Sequence, residues 1–282
     1  MTATATAPLR IGRVALTVHD LDRVGAFYQE AIGLQRIAGD ETALQLGAGG
    51  AILLELRRDS DAPRASPREA GLFHTAFLLP SRADLGRWLT HAASARLQIQ
   101  GASDHLVSEA VYLADPEGNG IEIYADRPRA QWRWAEGAIV MATEALDVQG
   151  VMASGGGEAW RGAPAGTTVG HVHLQVGAIP AADAFYGTLL GFDLTCRYPG
   201  ASFFGSGGYH HHFGANIWNS RGARVRPERT TGLAEVEIVA ADAAIVAAIR
   251  ARAERAPVEA APGRLALRDP WGTKLAIVAA GA

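Results

Sequence analysis

One β-α-β-β-β pattern recurs four times along this chain. A period of that kind settles the architecture before any single residue is considered. Arg13 precedes Ala26-Phe27-Tyr28 at the same spacing at which His171 precedes Ala184-Phe185-Tyr186. Each run leads to a short glycine-ended stretch, Ala31-Ile32-Gly33-Leu34 and Leu189-Leu190-Gly191-Phe192. The other two copies end alike, in Leu113-Ala114-Asp115-Pro116-Glu117-Gly118-Asn119 and Leu267-Arg268-Asp269-Pro270-Trp271-Gly272-Thr273, each followed by an apolar strand.

The first copy opens with the β-type run Arg13–Val18. Asp20 is placed to cap a helix through Val24, Phe27, Tyr28 and Ile32, which Gly33 ends. Strands are expected near 34–39, 42–47 and 51–57. The second copy opens at Phe73-His74-Thr75-Ala76-Phe77. Its helix, about Arg82 to Ala95, carries Leu85, Trp88, Leu89 and Ala92 on one face. Strands near 98–103, 107–114 and 120–125 complete it. The third copy begins at Gly170-His171-Val172-His173 and the fourth at Leu233-Ala234-Glu235. The division is then 9–127 for two units, 128–168 for a linker and 169–280 for two more units. Loops as long as that linker are uncommon unless functional or disordered. Its tryptophans Trp132, Trp134 and Trp160 argue for packing, and its glycine runs for mobility. One short helix is expected near Val140–Asp147.

Composition excludes several classes. The net charge of −3 gives no footprint for nucleic acid or membrane. Cys196 is the single cysteine, so no intrachain disulfide forms, and a reducing, cytoplasmic setting is expected. Met1–Pro8 lacks the basic and apolar regions of a signal peptide and reads as a disordered tail. No run of about eighteen apolar residues offers a membrane span.

The repeat permits a comparison inside one chain. Equivalent positions hold His171, His74 and Glu122 in the inner copies, but Arg13, Glu235 and Ala276 in the outer ones. Two imidazoles and a carboxylate form the donor set of a non-haem Fe(II) site. Residues two apart on a strand share a face. His171, His173 and Gln175 thus line a polar cavity, while Val172, Leu174 and Val176 pack beneath the helix. The same alternation puts Glu122 with Tyr124, and opposes His211 to His210 and His212.

The β-α-β-β-β unit, the helix carrying Phe-Tyr and Leu-Gly, and the Asp115-Pro116-Glu117-Gly118-Asn119 turn before Ile121-Glu122-Ile123 resemble the vicinal oxygen chelate superfamily. That superfamily includes glyoxalase I, bleomycin-resistance proteins and type I extradiol dioxygenases. Phe73–Phe77, Ser103–Ser108, Asn119–Tyr124 and Gly208-Tyr209-His210-His211-His212 resemble bacterial catechol 2,3-dioxygenase-like proteins in particular. The resemblance covers nearly the whole chain outside the tail and linker. It implies an α+β fold in which the four units pair into two cup-shaped, half-open barrels. The family's ring-cleaving members take one His from one unit, and a His and the Glu from its partner. Only units two and three supply that set here, so they form the metal cup and units one and four the other. This departs from the commonest arrangement, in which the whole site lies in the C-terminal half.

The resemblance also implies roles. His74, Glu122 and His171 hold Fe(II), with Mn(II) as an alternative. Tyr112 hydrogen-bonds a catecholate oxygen, and His105 holds a hydroxyl or acts as acid or base. One of the three consecutive histidines assists dioxygen activation, with His210 and His212 favoured over His211. His173 orients a ligand. Trp218 and Tyr209 are candidates to shape the pocket; His19 and His91 read as exposed, without a role. In the outer cup, Arg13 and Glu235, with Glu55 beside them, suggest a buried or half-buried ion pair of structural use. The expected activity is extradiol cleavage of a catechol-type ring with a small aromatic and O2 as partners, with no nucleic acid or membrane and self-association left open. The alternatives are a glyoxalase-like isomerase or lyase, which usually needs a second carboxylate, and a metal-free binding module.

Overall fold

The computed structural model describes residues 4, 6–253, 259–261 and 264–281. The first copy runs β1 (Leu9–Val18), α1 (Leu21–Phe27), β2 (Gln35–Gly39), β3 (Ala43–Ala48) and β4 (Ala51–Arg58). The second runs β5 (Gly71–Leu78), α2 (Arg82–Ser94), β6 (Ile99–Asp104), β7 (Ser108–Ala114) and β8 (Gly120–Asp126). Between copies lie β9 (Trp134–Ala135), β10 (Ala138–Ile139), β11 (Glu144–Ala145) and α3 (Val148–Ser154). The third holds β12 (Thr168–Gln175), α4 (Ile179–Ala182), β13 (Asp193–Tyr198), β14 (Ala201–Gly205) and β15 (Phe213–Asn216). The fourth holds β16 (Gly232–Ala240), α5 (Ala243–Arg252), β17 (Glu259–Ala261), β18 (Arg264–Arg268) and β19 (Lys274–Ala279).

All the described strands but β9 and β10, which pair as a separate short ribbon, form two curled sheets, and the pairing is nested. One sheet has the order β17-β18-β19-β16-β1-β4-β3-β2, joining copies one and four. The other has the order β11-β6-β7-β8-β5-β12-β15-β14-β13, joining copies two and three. Each seam is an antiparallel pair of first strands, β1 with β16 and β5 with β12. The cups are thus those that the distribution of ligand residues implied.

Local chemistry explains the elements. Asp20 caps α1 by accepting the Arg23 N–H, and Ser81 caps α2 by accepting that of Asp84. The first helix continues as a π-helical turn, Tyr28–Ile32, and Gly33 closes it at φ 83°. A side chain would be strained there. Helix α2 buries Leu85, Trp88, Leu89 and Ala92, the stripe read from its periodicity. Trp88 also donates its indole N–H to the Ala31 carbonyl at 2.9 Å, tying the second copy to the first. Val172, Leu174, Phe77, Ile121 and Ile123 meet Val14, Leu16, Val236 and Ile238 in one apolar core behind both cups. Truncating any of the larger of these to Ala costs about 2–5 kcal/mol.

Two expectations are corrected. The helix expected near Val140–Asp147 lies instead at Val148–Ser154, because Asp147 is its cap and accepts the Gly150 N–H. It packs on α2, where Ser154 Oγ donates to the Arg82 carbonyl at 3.1 Å. The N-terminal stretch does not lie free where it is described. Thr4 and Ala7 are buried, and Leu9 N–H donates to Ser206 Oγ. The rest of the expected tail, residues 1–3 and 5, lies outside the described residues.

Candidate metal centre

Strand register builds the centre. Across the second cup, Tyr112 lies opposite Glu122, Glu122 opposite Ala76, and Ala76 opposite His171. These four positions form one row over β7, β8, β5 and β12. His74, two residues from Ala76 on β5, shares its face and lies opposite His173. Neighbouring strands are about 4.8 Å apart, so Glu122 and His171 must reach over the strand between them. Ala76 is fully buried beneath them, and its methyl leaves that span open.

The three side chains converge. Glu122 Oε2 lies 3.0 Å from His74 Nε2 and 3.1 Å from His171 Nε2. One donor atom from each residue falls within 4.8 Å of the others. Donors about 2.1 Å from one ion, at right angles, stand about 3.0 Å apart. The two separations from Glu122 match that spacing, so the residues present suit a bound divalent cation.

The electrostatics agree. Burial alone would raise the Glu122 pKa, but attraction to His171 and hydrogen bonds with His171 and His74 hold it well below the usual carboxylate range. Burial pushes His171 down to about 4 against the pull of Glu122. At neutral pH the centre thus offers a carboxylate and a neutral His171 imidazole, as cation binding requires.

In front of the three ligands lies a cavity of about 90 Å³. It opens to a vestibule of about 390 Å³ that shares His74, His105, Tyr112, Thr143, His173 and Trp218 with it. Glu122 is its single carboxylate among the described lining residues; Met141, Cys196, Phe203 and Trp218 make much of the wall apolar. The segment read as a linker forms part of that wall. Its strand β11 extends the sheet by pairing with β6, and Met141–Thr143 line the cavity.

His105 and Tyr112 both face the cavity and touch each other, His105 Nε2 lying 2.6 Å from Tyr112 Oη. His105 Nδ1 lies 2.7 Å from the Ala142 carbonyl, which can only accept. In the neutral ring the proton is on Nδ1, and Nε2 accepts from Tyr112. Burial, then the charge of Glu122, raises the Tyr112 pKa well above 10, so its hydroxyl keeps its proton. His173 lines the cavity with its Nε2 buried and without a partner among the described residues, and burial keeps its pKa well below the usual value.

The three consecutive histidines differ from the reading. They lie in the turn before β15, where strand alternation does not apply. His211 faces the cavity, with its ring centroid 4.1 Å from that of His171. The favoured pair, His210 and His212, is 0% exposed and lies behind it. His210 bonds Asp126 and His211. His212 packs on Tyr209 and Phe192, neither ring nitrogen having a partner among the described residues.

Other positions divide. Gln175 leaves the cavity face, because the register shifts between His173 and Leu174, and it bonds Asn219 in a separate cleft. Trp218 stands half exposed at the mouth, but Tyr209 is buried against Asp126 and Tyr124. His19 and His91 are tied to the carbonyls of Ala62 and Glu30. In the other cup Arg13 pairs with Glu55, Glu237 and Glu235, and Arg264 also pairs with Glu235. The residues the sequence did not single out are Ala76, Asp126 and Met141–Thr143. Asp126 alone carried a signal, being an acid four residues beyond Glu122 on its strand.

A fold of paired β-α-β-β-β cups with one His-Glu-His centre defines a class, and comparison with known proteins places the chain in it. Residues 10–123 match the Glyoxalase/Bleomycin resistance protein/Dioxygenase superfamily. The chain is 42% identical over 228 residues to a protein of Bacillus subtilis (strain 168) named catechol-2,3-dioxygenase, covering 79% of this chain and 80% of that one. It belongs to this superfamily. Glyoxalase I from Zea mays shares the fold, with a TM-score of 0.57 at 17% identity over 96% of this chain and 92% of that one. So does the cppA protein from Streptococcus pneumoniae TIGR4, with a TM-score of 0.57 at 13% identity over 96% and 98%.

Proposed function

We propose that this protein is an Fe(II)-dependent extradiol dioxygenase that cleaves a catechol-type ring beside its hydroxyls. The observation that carries the reading is the convergence of His74, His171 and Glu122 on one point behind a small, largely apolar cavity. Two imidazoles with one carboxylate suit non-haem Fe(II), and Mn(II) accepts the same donors. The name of the Bacillus subtilis relative supports the reaction class. A glyoxalase-type isomerase would call for a second carboxylate, and Glu122 has no carboxylate companion among the described lining residues.

A ferrous ion held by His74, His171 and Glu122 would supply Lewis acidity and redox chemistry toward a vicinal diol and dioxygen. The chain's own groups do the rest. Tyr112 donates its hydroxyl hydrogen bond to His105, so its oxygen lone pairs remain to accept from a substrate hydroxyl. His105 is held in that tautomer by Ala142, which couples the linker to the placement of Tyr112. His211 lies against His171, in reach of a proton released from or delivered to the reacting oxygens. Met141, Cys196, Phe203 and Trp218 keep water from the site. A reducing cytoplasm suits both Fe(II) and the free Cys196 thiol.

The test is metal analysis of protein purified without air, followed by addition of catechol and air. Iron near one per chain and a yellow ring-fission product are expected. Iron-free protein that turns over no catechol after Fe(II) loading removes the proposal.

A further inference from the structure

Behind the cavity wall a chain of hydrogen bonds ends at His211. Asp126, at the end of the strand that carries Glu122, receives two donors on Oδ1. Tyr209 donates its hydroxyl at 3.1 Å, and His210 Nε2 lies 3.0 Å away. A carboxylate only accepts, so His210 carries a proton on Nε2. The other nitrogen of that ring, Nδ1, lies 2.8 Å from Nδ1 of His211. One proton must sit between these two nitrogens. Were it on His210, that ring would hold two protons and be an imidazolium, so a neutral pair of rings requires it on His211. With one proton per ring, His211 is the donor and its Nε2 is bare.

We infer that Asp126 and His210 are positioning residues that lock His211 in its Nδ1–H tautomer, presenting a bare Nε2 to the cavity. His211 is the member of the triplet with surface there, and its Nδ1 is engaged behind. An acceptor at that point matches a diol, whose hydroxyl can pass it a proton. The Nε2–H tautomer would offer a donor instead and repel that hydroxyl's hydrogen. The arrangement follows the logic of an acid orienting a histidine, lengthened by one imidazole. Tyr124 extends it, its hydroxyl 2.8 Å from that of Tyr209. The chemical use of the bare nitrogen rests on the dioxygenase reading; the tautomer does not.

The tautomer can be read without metal or turnover. Metal-free protein labelled with ¹⁵N-histidine is followed by long-range ¹H–¹⁵N correlation near neutral pH, with His211 assigned by loss of its signals in His211→Asn. The wild type is expected to show His211 protonated on Nδ1 and His210 on Nε2. In His210→Phe, which keeps a ring of similar size, His211 should move to the Nε2–H form. Asp126→Ala should have the same effect and serves if His210→Phe does not fold. Protonation of His211 on Nε2 in the wild type, or an unchanged tautomer in a folded variant, overturns the inference. In the iron-loaded enzyme, kcat for catechol should fall roughly 10–100-fold in either variant, with iron content unchanged. If the protein cleaves no catechol, the reaction reading fails while the spectra still decide the tautomer.

Discussion

Glu122 Oε2 stands 3.1 Å from His171 Nε2, although the two residues are 49 positions apart and belong to different repeats. Neither repeat contains a complete ligand set. His74→Ala, His171→Ala and Glu122→Ala should therefore each abolish tight metal binding, because a three-ligand site has no spare donor. Metal content per chain and far-ultraviolet circular dichroism check this together. A His171→Ala protein that kept full metal would break the assignment.

Ala76 should be as sensitive as a ligand. Ala76→Leu inserts a branched side chain under the two residues that reach across it. Overpacking costs about 1–3 kcal/mol, so the fold should survive while the ligands are pushed apart. A metal titration of the folded variant should show binding weakened at least tenfold; unchanged affinity would mean that the spacer is incidental.

The outer cup should stay free of metal. Arg13 occupies the position of His171, and a guanidinium remains protonated. Crystals soaked in Mn(II) should give anomalous signal at Glu122 and none at Arg13. Arg13→Leu leaves Glu55 and Glu237 facing each other without their shared cation. It should destabilise the protein by about 1–3 kcal/mol in urea unfolding, without changing metal content.

Tyr112→Phe separates metal binding from chemistry. The ring and the metal stay; the hydroxyl that bonds His105 goes. Turnover should fall with metal content constant. His211→Asn should leave anaerobic catechol binding intact and lower kcat by roughly two orders of magnitude, the scale for a lost acid–base group. Equal kcat in His211→Asn and the parent would move that role to another residue.

Burial lowers the His212 pKa from 6.5 to about 3. Its folded state binds fewer protons than its unfolded state across that window. Stability from this residue is therefore full above pH 6.5 and is lost as pH falls toward 3. Between pH 7 and pH 4.5 the loss is about 2–3 kcal/mol. Metal-free His212→Phe should thus lose less stability than the parent over that interval in urea unfolding; identical slopes would contradict the burial argument.

Much of this was legible in the chain because its signals are chemical or periodic. The Asp-Pro turns, the α2 stripe and the Asp20 cap announced the units. With the family resemblance, His74, Glu122 and His171 implied which units pair, since no other pairing gathers two imidazoles and a carboxylate. Ala76 was silent because a methyl spacer has no chemical signature. His211 was misplaced because alternation was applied to a turn, where backbone direction and not period two decides orientation. Met141–Thr143 have no periodicity; their place on the cavity comes from β11 adding to the sheet edge, a long-range event. Asp147, read as the end of a linker helix, is instead the cap of one that follows it.

The nested pairing of strands has a consequence for biosynthesis. As the chain leaves the ribosome, the inner sheet has all its strands once Asn216 has emerged. By then β1 has met β4, yet its other edge has no neighbour until β16 is made. A nascent strand with an open edge invites pairing with other chains. Arg13 stands on that strand, and a charge there discourages adhesion during the wait. When β16 arrives it brings Glu235 and Glu237, and the group that guarded the edge becomes the ionic clasp that shuts it.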